Sequence, residues 1–403
     1  MTIIIKKQKR RRNMIKFTME EELIVKSLRD FVENEVKPAV PEIEKTNAIP
    51  MELWHRCGEL GFIGVCFPEE YGGMGMRSIM DSIVLEEIAK ESPALALAID
   101  AHHFCCRTIL MLGSKAQKEH YLAKLVNGEL VGGCAASQSE GGQVYAETKP
   151  IGTFTQDGIL LNSTKVFITN SGFADIFIII GLVDGNYCQI VVDKATEGLS
   201  YGGGMVDHKM GMHGSGTGTV RLTNVLVPMS NMLVPDEYDP SSAFTFASCY
   251  LDISAISLGI AEGAFYKTKD FLMNRKRNGK IMAGMPVISK NLALMKAKIE
   301  MMRSMLWTTT EINDESPDPL LIHATKPIVT DACLEVTQMA VVLHGGAGYM
   351  EDTGVARYHR DAMCNVIGEV PSDMHLVQVA LQMGLPVEDS ACQFPVCGDR
   401  YAK

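Results

Sequence analysis

The order of hydrophobic patterns along the 403 residues predicts an α+β fold in three parts, helical, then β, then helical again. Three observations carry this. Apolar residues recur at helical spacing between residues 18 and 133. Between 134 and 238 the texture changes to short runs rich in β-branched and aromatic residues, divided by turn signals such as Asp157-Gly158 and Glu197-Gly198. From 239 to 388 long helical patterns return. A basic tail, 1–17, and a short tail, 389–403, flank these domains.

The first helix is announced by Thr18 with Glu21 three residues later, a capping box in which each residue satisfies an amide of the other. Ile24, Val25, Leu28, Phe31, Val32 and Val36 then share one face up to Pro38, where the helix is expected to stop. Further helical stretches fall around 51–60, 80–90, 95–112 and 115–126, interrupted by the turn "PEEYGGMGM". In the middle segment "GILLNSTKVFIT", "ADIFIIIGLV", "YCQIVVD" and "GTVRLTNVLV" read as strands. No helix-length crossover separates them, so an antiparallel barrel or sandwich is expected rather than a doubly wound sheet. The last segment carries helices at 244–273, 287–312, 320–343 and 372–383, the final one closed by Gly384 and Pro386.

Composition narrows the function. The chain is 46% hydrophobic and 21% charged, as ordinary globular proteins are. A net charge of −10 argues against nucleic acid as the main partner, since phosphates need a basic face. The 11 cysteines have no metal-ligand spacing and read as reduced thiols in a cytosol-like compartment; a prokaryotic cytoplasmic location is expected ahead of a mitochondrial matrix. The N-terminal apolar run, Ile3 to Ile5, is too short for a signal sequence or a membrane span, so the basic tail is expected to be disordered. His102 and His103 are adjacent on a helix and point in different directions, so no metal is assigned to them.

One acid stands out. In "NVIGEVPSDMH", Glu369 lies just before a helical pattern, where the positive helix end favours its ionised form. Taken alone, the stretch fits a solvated pre-helix acid better than a catalytic one.

Four ordered landmarks extend the reading. "PEEYGGMG", "GSKAQKEHYLAKLVNGELVGGCAAS", "NSTKVFITN" and "HGGAGYM" followed by "RYHRDA" resemble segments of the acyl-CoA dehydrogenase family, over about residues 18–384. The resemblance implies two helical domains around the β domain, the C-terminal one like a four-helix bundle. It also implies FAD, a homodimer or homotetramer, α,β-dehydrogenation of an acyl-CoA, and an electron-transferring flavoprotein as acceptor. Glu369 then aligns with the base that takes the α-proton. The Tyr expected before it is Gly368, and Val370-Pro371 replace Gly-Thr, which suggests a bulkier or cyclic acyl group. Relatives specialised for alicyclic substrates can use an Asp near the fourth helix; Asp100 is the alternative acid, unless it is a helix acid facing solvent.

For the flavin, the resemblance implies Ala135, Ala136 and Ser137 in one loop. Phe167 would stack on the ring, its alternative being a barrel-core aromatic, and Thr169 would bond near N5. Arg275 would reach the pyrophosphate across a subunit interface, or Arg277 in its place. Gly345, Gly346 and Gly348 would allow close backbone approach. Tyr250 stands where an arginine that engages CoA is expected, so it is assigned to the substrate. The other readings are an enoyl-CoA reductase and a catalytically silent flavin- or acyl-CoA-binding homologue.

Overall fold

A computed structural model describes residues 15–139, 149–202, 208–236 and 243–387; nearly all of the basic tail and the C-terminal tail lie outside these. Helix α1 (Met19–Phe31) starts as expected. Glu21 N–H donates to Thr18 Oγ1 (3.2 Å) and Thr18 N–H to the Glu21 carboxylate (2.8 Å). The helix does not stop at Pro38. A π-turn (Val32–Val36) leads directly into α2 (Lys37–Thr46), which contains Pro38 and Pro41. The wider π-turn loosens the ladder just ahead of the prolines, where their rings would otherwise crowd the preceding turn.

Helices α3 (Met51–Glu59), α4 (Ser78–Ala89), α5 (Pro93–Leu112) and α6 (Lys115–Val126) complete the first helical part. Helix α5 is apolar enough to cross a membrane by length and composition, but it is the buried core helix of this domain.

The β part has strands β1 (Gly132–Ala135), β2 (Pro150–Thr155), β3 (Gly158–Ile168), β4 (Ile176–Val183), β5 (Asn186–Asp193), β6 (Leu199–Gly202) and β7 (Gly218–Val227). The expectation of an antiparallel domain needs correction. Strands β1 and β2 lie end to end along one edge of β4 and both pair with it in parallel, while the other ladders are antiparallel. The chain arrives at β1 from α6, so no hairpin constrains its direction.

The C-terminal part consists of α7 (Ala243–Asn274), a small hairpin of β8 (Lys276–Arg277) and β9 (Lys280–Ile281), α8 (Pro286–Glu315), α9 (Pro319–His344), α10 (Val355–Ile367) and α11 (Ser372–Gln382). Helix α10 is absent from the expected elements. It holds the "RYHRDA" segment, whose Arg357, Tyr358 and Asp361 are buried polar groups.

Three hydrophobic clusters hold the molecule together. The largest is shared by both helical parts, with Leu28, Ile79 and Ile99 packed in one core with Ile256, Leu306 and Val336. A second fills the β part, and a third lies between α5, α6 and the outer face of β4 and β5. Sharing one core fixes α5 against α7 and α10, and the candidate site lies there.

Candidate active site

Helix α10 ends at Gly368, whose N–H donates to Cys364 O at 2.7 Å. A Cβ at this glycine would lie 2.9 Å from the same carbonyl, so a larger residue would have to shift the turn. Glu369 follows with φ +57°, a left-handed backbone that non-glycine residues rarely adopt. Pro371 then starts α11.

The loop turns the Glu369 carboxyl toward Asp100 on α5, with which it shares a side-chain hydrogen bond. Asp100 does not face solvent; it is 2% exposed. The two acids named from sequence are therefore neighbours, and the charge on Glu369 disfavours that on Asp100. Burial, then the charge on Asp252, pushes Glu369 up to about 8, against opposing effects of Lys326, Arg107 and the bond from Asp100. Asp100 is raised well above the ordinary carboxylate range by burial first and by Glu369 second.

Behind the pair lies a buried ionic network that the sequence reading missed. Arg107, from the same apolar helix as Asp100, bridges Asp252 on α7 and Asp81 on α4. Asp81 also lies 3.3 Å from His103 Nδ1, and His103 Nε2 bonds Ile63 O at 2.7 Å. The Asp81–His103–Asp252 grouping is close enough to hold a metal ion. Arg107 already supplies a cation to both carboxylates. His102 is used differently, its Nδ1 accepting the Gly132 N–H at 2.9 Å and its Nε2 contacting Leu125 O at 3.0 Å.

A second missed group is Lys326 on α9. It is completely buried, and its Nζ donates to Val366 O (3.0 Å) and Val370 O (2.5 Å), on either side of Glu369. Next to it, His323 and His375 approach Nδ1 to Nδ1 at 3.0 Å, with Tyr250 edge-on to His375 at 4.6 Å between ring centroids. Tyr250 thus packs against the first turn of α11, which follows the carboxylate loop. A lone charge in an apolar helical run, as in "AIDAHHFCCRTIL" or "HATKPIV", was the available signal for Arg107 and Lys326.

The residues expected near a flavin form a second surface. The Val166 N–H donates to Ser137 O at 2.9 Å, which joins the Ala135–Ser137 segment to the end of β3. Phe167 is 67% exposed with φ +60°, between buried Val166 and Ile168, so it is not a core aromatic. Thr169 faces Thr217 across 3.5 Å. Glu369 is close enough to this side to contribute to raising the Cys134 thiol on β1, after burial and Cys105. Gln138, the residue after Ser137, is buried and pairs in both directions with the Lys149 backbone.

Arg275 lies at the end of α7, its guanidinium over the Phe271 ring at 5.1 Å. Gly345 (φ +63°) and Gly346 have open space above them, whereas a Cβ on Gly348 would meet Val341 O at 2.2 Å, so Gly348 lets this turn pack against the end of α9.

Comparison with known proteins identifies an oxidoreductase acting on a CH–CH bond. Residues 18–129 match the family "Acyl-CoA dehydrogenase, N-terminal domain" and residues 249–384 match "Acyl-CoA dehydrogenase, C-terminal domain". The chain belongs to the acyl-CoA dehydrogenase family. It is 30% identical over 372 residues to the short-chain specific acyl-CoA dehydrogenase of Clostridium acetobutylicum, covering 90% of this chain and 97% of the relative. It is also 30% identical over 366 residues to cyclohex-1-ene-1-carbonyl-CoA dehydrogenase of Syntrophus aciditrophicus, covering 88% and 87%. Among solved structures, butyryl-CoA dehydrogenase from Megasphaera elsdenii superposes with a TM-score of 0.85 at 30% identity, over 92% of this chain and 99% of that one.

Proposed function

We propose that the protein is an FAD-dependent dehydrogenase of an acyl-CoA thioester, with Glu369 as the base that removes the α-proton. The observation that carries this reading is the buried Glu369–Asp100 pair, formed by residues from α5 and the α10–α11 loop. A general base must be held within reach of its proton with an acidity matched to the task, and burial raises Glu369 toward that range.

The residues fit a flavin. Phe167 offers an uncovered ring at the β edge, Thr169 offers a hydroxyl beside it, and Gly345 and Gly346 leave room for a cofactor backbone. When bound, FAD supplies the hydride acceptor. The chain's own part is to take the α-proton on Glu369, to shield it from water, and to donate from the Glu369 N–H to the thioester oxygen as enolate charge grows. Asp100, held neutral, donates to Glu369 and steadies its ionised form. An electron-transferring flavoprotein is the proposed acceptor. A homo-oligomer is supported by the exposed stripe Val287, Leu294 and Met301, seven residues apart on one face of α8.

A second reading, an alicyclic acyl group, is supported by Asp100 sitting as a second acid against the base and by the absence of a side chain at Gly368. One experiment separates the readings. The purified protein is loaded with FAD and mixed anaerobically with straight-chain and cyclic acyl-CoAs while flavin absorbance is followed. Bleaching is expected, and Glu369→Gln should slow it by about 10³-fold or more with FAD still bound. Bleaching that survives Glu369→Gln but not Asp100→Asn would make Asp100 the base.

A further inference from the structure

We propose that Lys326 is the positioning residue of the carboxylate loop: its ammonium, shared between the carbonyls on both sides of Glu369, holds that residue in its left-handed conformation and stabilises its ionised carboxylate. The inference rests on Glu369 being the base.

The geometry begins with the strain. Glu369 has φ +57°, a conformation that glycine or asparagine takes readily and glutamate does not, so its surroundings must hold it there. The loop is tied at both ends to α9. Lys326 Nζ binds Val366 O (3.0 Å) and Val370 O (2.5 Å). One helical turn on, Thr330 Oγ1 lies 3.2 Å from Ser372 Oγ, which itself donates to Val366 O at 3.2 Å. Thr330 and Ser372 are neutral and sit at the loop's edge; Lys326 alone brings a charge beneath its centre. A lysine buried to this degree without a salt bridge to a carboxylate is costly, and two main-chain carbonyls are modest compensation. The remaining compensation is the field of the nearby acid. Glu369 is the largest opposing influence against the burial that lowers the lysine to about 8, and Lys326 in turn favours ionised Glu369.

Other groups face the pair from each packed element. Asp331 and His323 come from α9, Cys364 from α10 and His375 from α11. Asp100 and Arg107 come from α5, and Asp252 and Cys249 from α7, with Asp81 of α4 behind Arg107. Both histidines are kept neutral near pH 7, at about 4 for His323 and about 3 for His375, mainly by burial. Arg107 is already engaged by two carboxylates. Lys326 is therefore the adjacent cation whose charge can change near the pH at which Glu369 titrates.

The test uses the FAD-loaded enzyme, with butyryl-CoA and cyclohexanecarbonyl-CoA as probes, and reads the anaerobic bleaching rate against pH. It also reads hydrogen–deuterium exchange of the 366–372 amides without substrate. Wild type is expected to give a bell, rising as Glu369 ionises and falling as Lys326 loses its proton. Lys326→Gln keeps a donor without the charge. Its loop exchange should stay within about twofold of wild type, its rising limb should move up by about one pH unit, and its plateau should lie at the level to which wild type falls, with no falling limb of its own. Lys326→Met loses both, so loop exchange should rise about tenfold or more and bleaching should slow by about 10²-fold.

A wild-type rate with no falling limb by about pH 9.5, or a Lys326→Gln profile superimposable on wild type, overturns the proposal. If Lys326→Met does not fold, those two results still decide it. Failure of the base reading looks different. Glu369→Gln would then still bleach, while the exchange of residues 366–372 would still report whether Lys326 holds the loop.

Discussion

Two buried lysines, Lys165 in the β part and Lys326 in the helical part, do the same mechanical job in different electrical surroundings. Lys165 donates to Ala136 O (2.9 Å) and Ile180 O (2.6 Å); Lys326 donates to Val366 O and Val370 O. Each lies beside a residue in left-handed backbone, Phe167 at φ +60° and Glu369 at φ +57°. Burial lowers both to about 8. The difference is what else each lysine faces. Lys326 faces the Glu369 carboxylate, whereas the opposing influence on Lys165 comes from the Cys134 thiol. The clamp on the proposed flavin side therefore sets shape, and the clamp on the carboxylate side sets shape and ionisation together.

The sharpest way to break this comparison is Lys165→Met. It strands two buried carbonyls, each worth about 1–3 kcal/mol, so the loss of stability should be about 3 kcal/mol, read as a lower denaturant midpoint. The Ala136–Ser137 loop should loosen and FAD should be retained less well through gel filtration. The pH limbs of the bleaching reaction, measured with excess FAD, should not move. A shifted rising limb would mean that Lys165 also tunes Glu369, and the distinction between the two clamps would fail.

A smaller effect is expected at Asp100. Asp100→Ala removes the donor to Glu369, so the carboxylate loses a stabilising bond, and bleaching near pH 7 should slow by about tenfold. Asp100→Asn keeps a donor and should cost about threefold or less. Equal and severe losses in both variants would instead identify Asp100 as an obligatory proton carrier, as the alicyclic reading requires.

How far the sequence carried differs between the same two regions. Glu369, Asp100, Phe167 and Tyr250 all carry a local sign, either a motif position or a chemical type out of place; the fold sets Glu369 beside Asp100 and leaves Phe167 exposed. Helix positions were legible because the apolar stripes of α5, α7, α8 and α9 are long. The π-turn before Pro38, the parallel pairing of β1 and β2 with β4, and α10 were not. The strand pairing depends on contacts between distant segments, and α10 mixes buried Arg357 and Asp361 with its apolar positions. The contact between Asp100 and Glu369 was equally invisible, because it exists only when both helical parts share one core. Arg107 and Lys326 were readable in principle as lone charges inside apolar helices. Recognising them required asking what a buried charge could be paired with, rather than matching a motif.

The smallest expected effect concerns stability rather than rate, and its sign follows from Glu369. Its folded value, about 8, is above the ordinary carboxylate value it takes when unfolded. Between the two, the folded chain keeps a proton that the unfolded chain has released. The proton-linked contribution to stability is thus fully present below the unfolded value and is lost as pH rises through the folded one. Glu369→Gln removes this loss. Its melting temperature should stay close to wild type near pH 5 and exceed it by several degrees near pH 8, because each unit between the two values is worth about 1.4 kcal/mol. Asp100, raised in the same direction, leaves a residual slope in the variant, so the curve should flatten without becoming level. A variant less stable than wild type at pH 8 would mean that the charged carboxylate is held favourably in the free protein. In that case Lys326 and Arg107 would outweigh burial at this site, and the carboxylate side would be an ion pair rather than a strained acid kept ready for substrate.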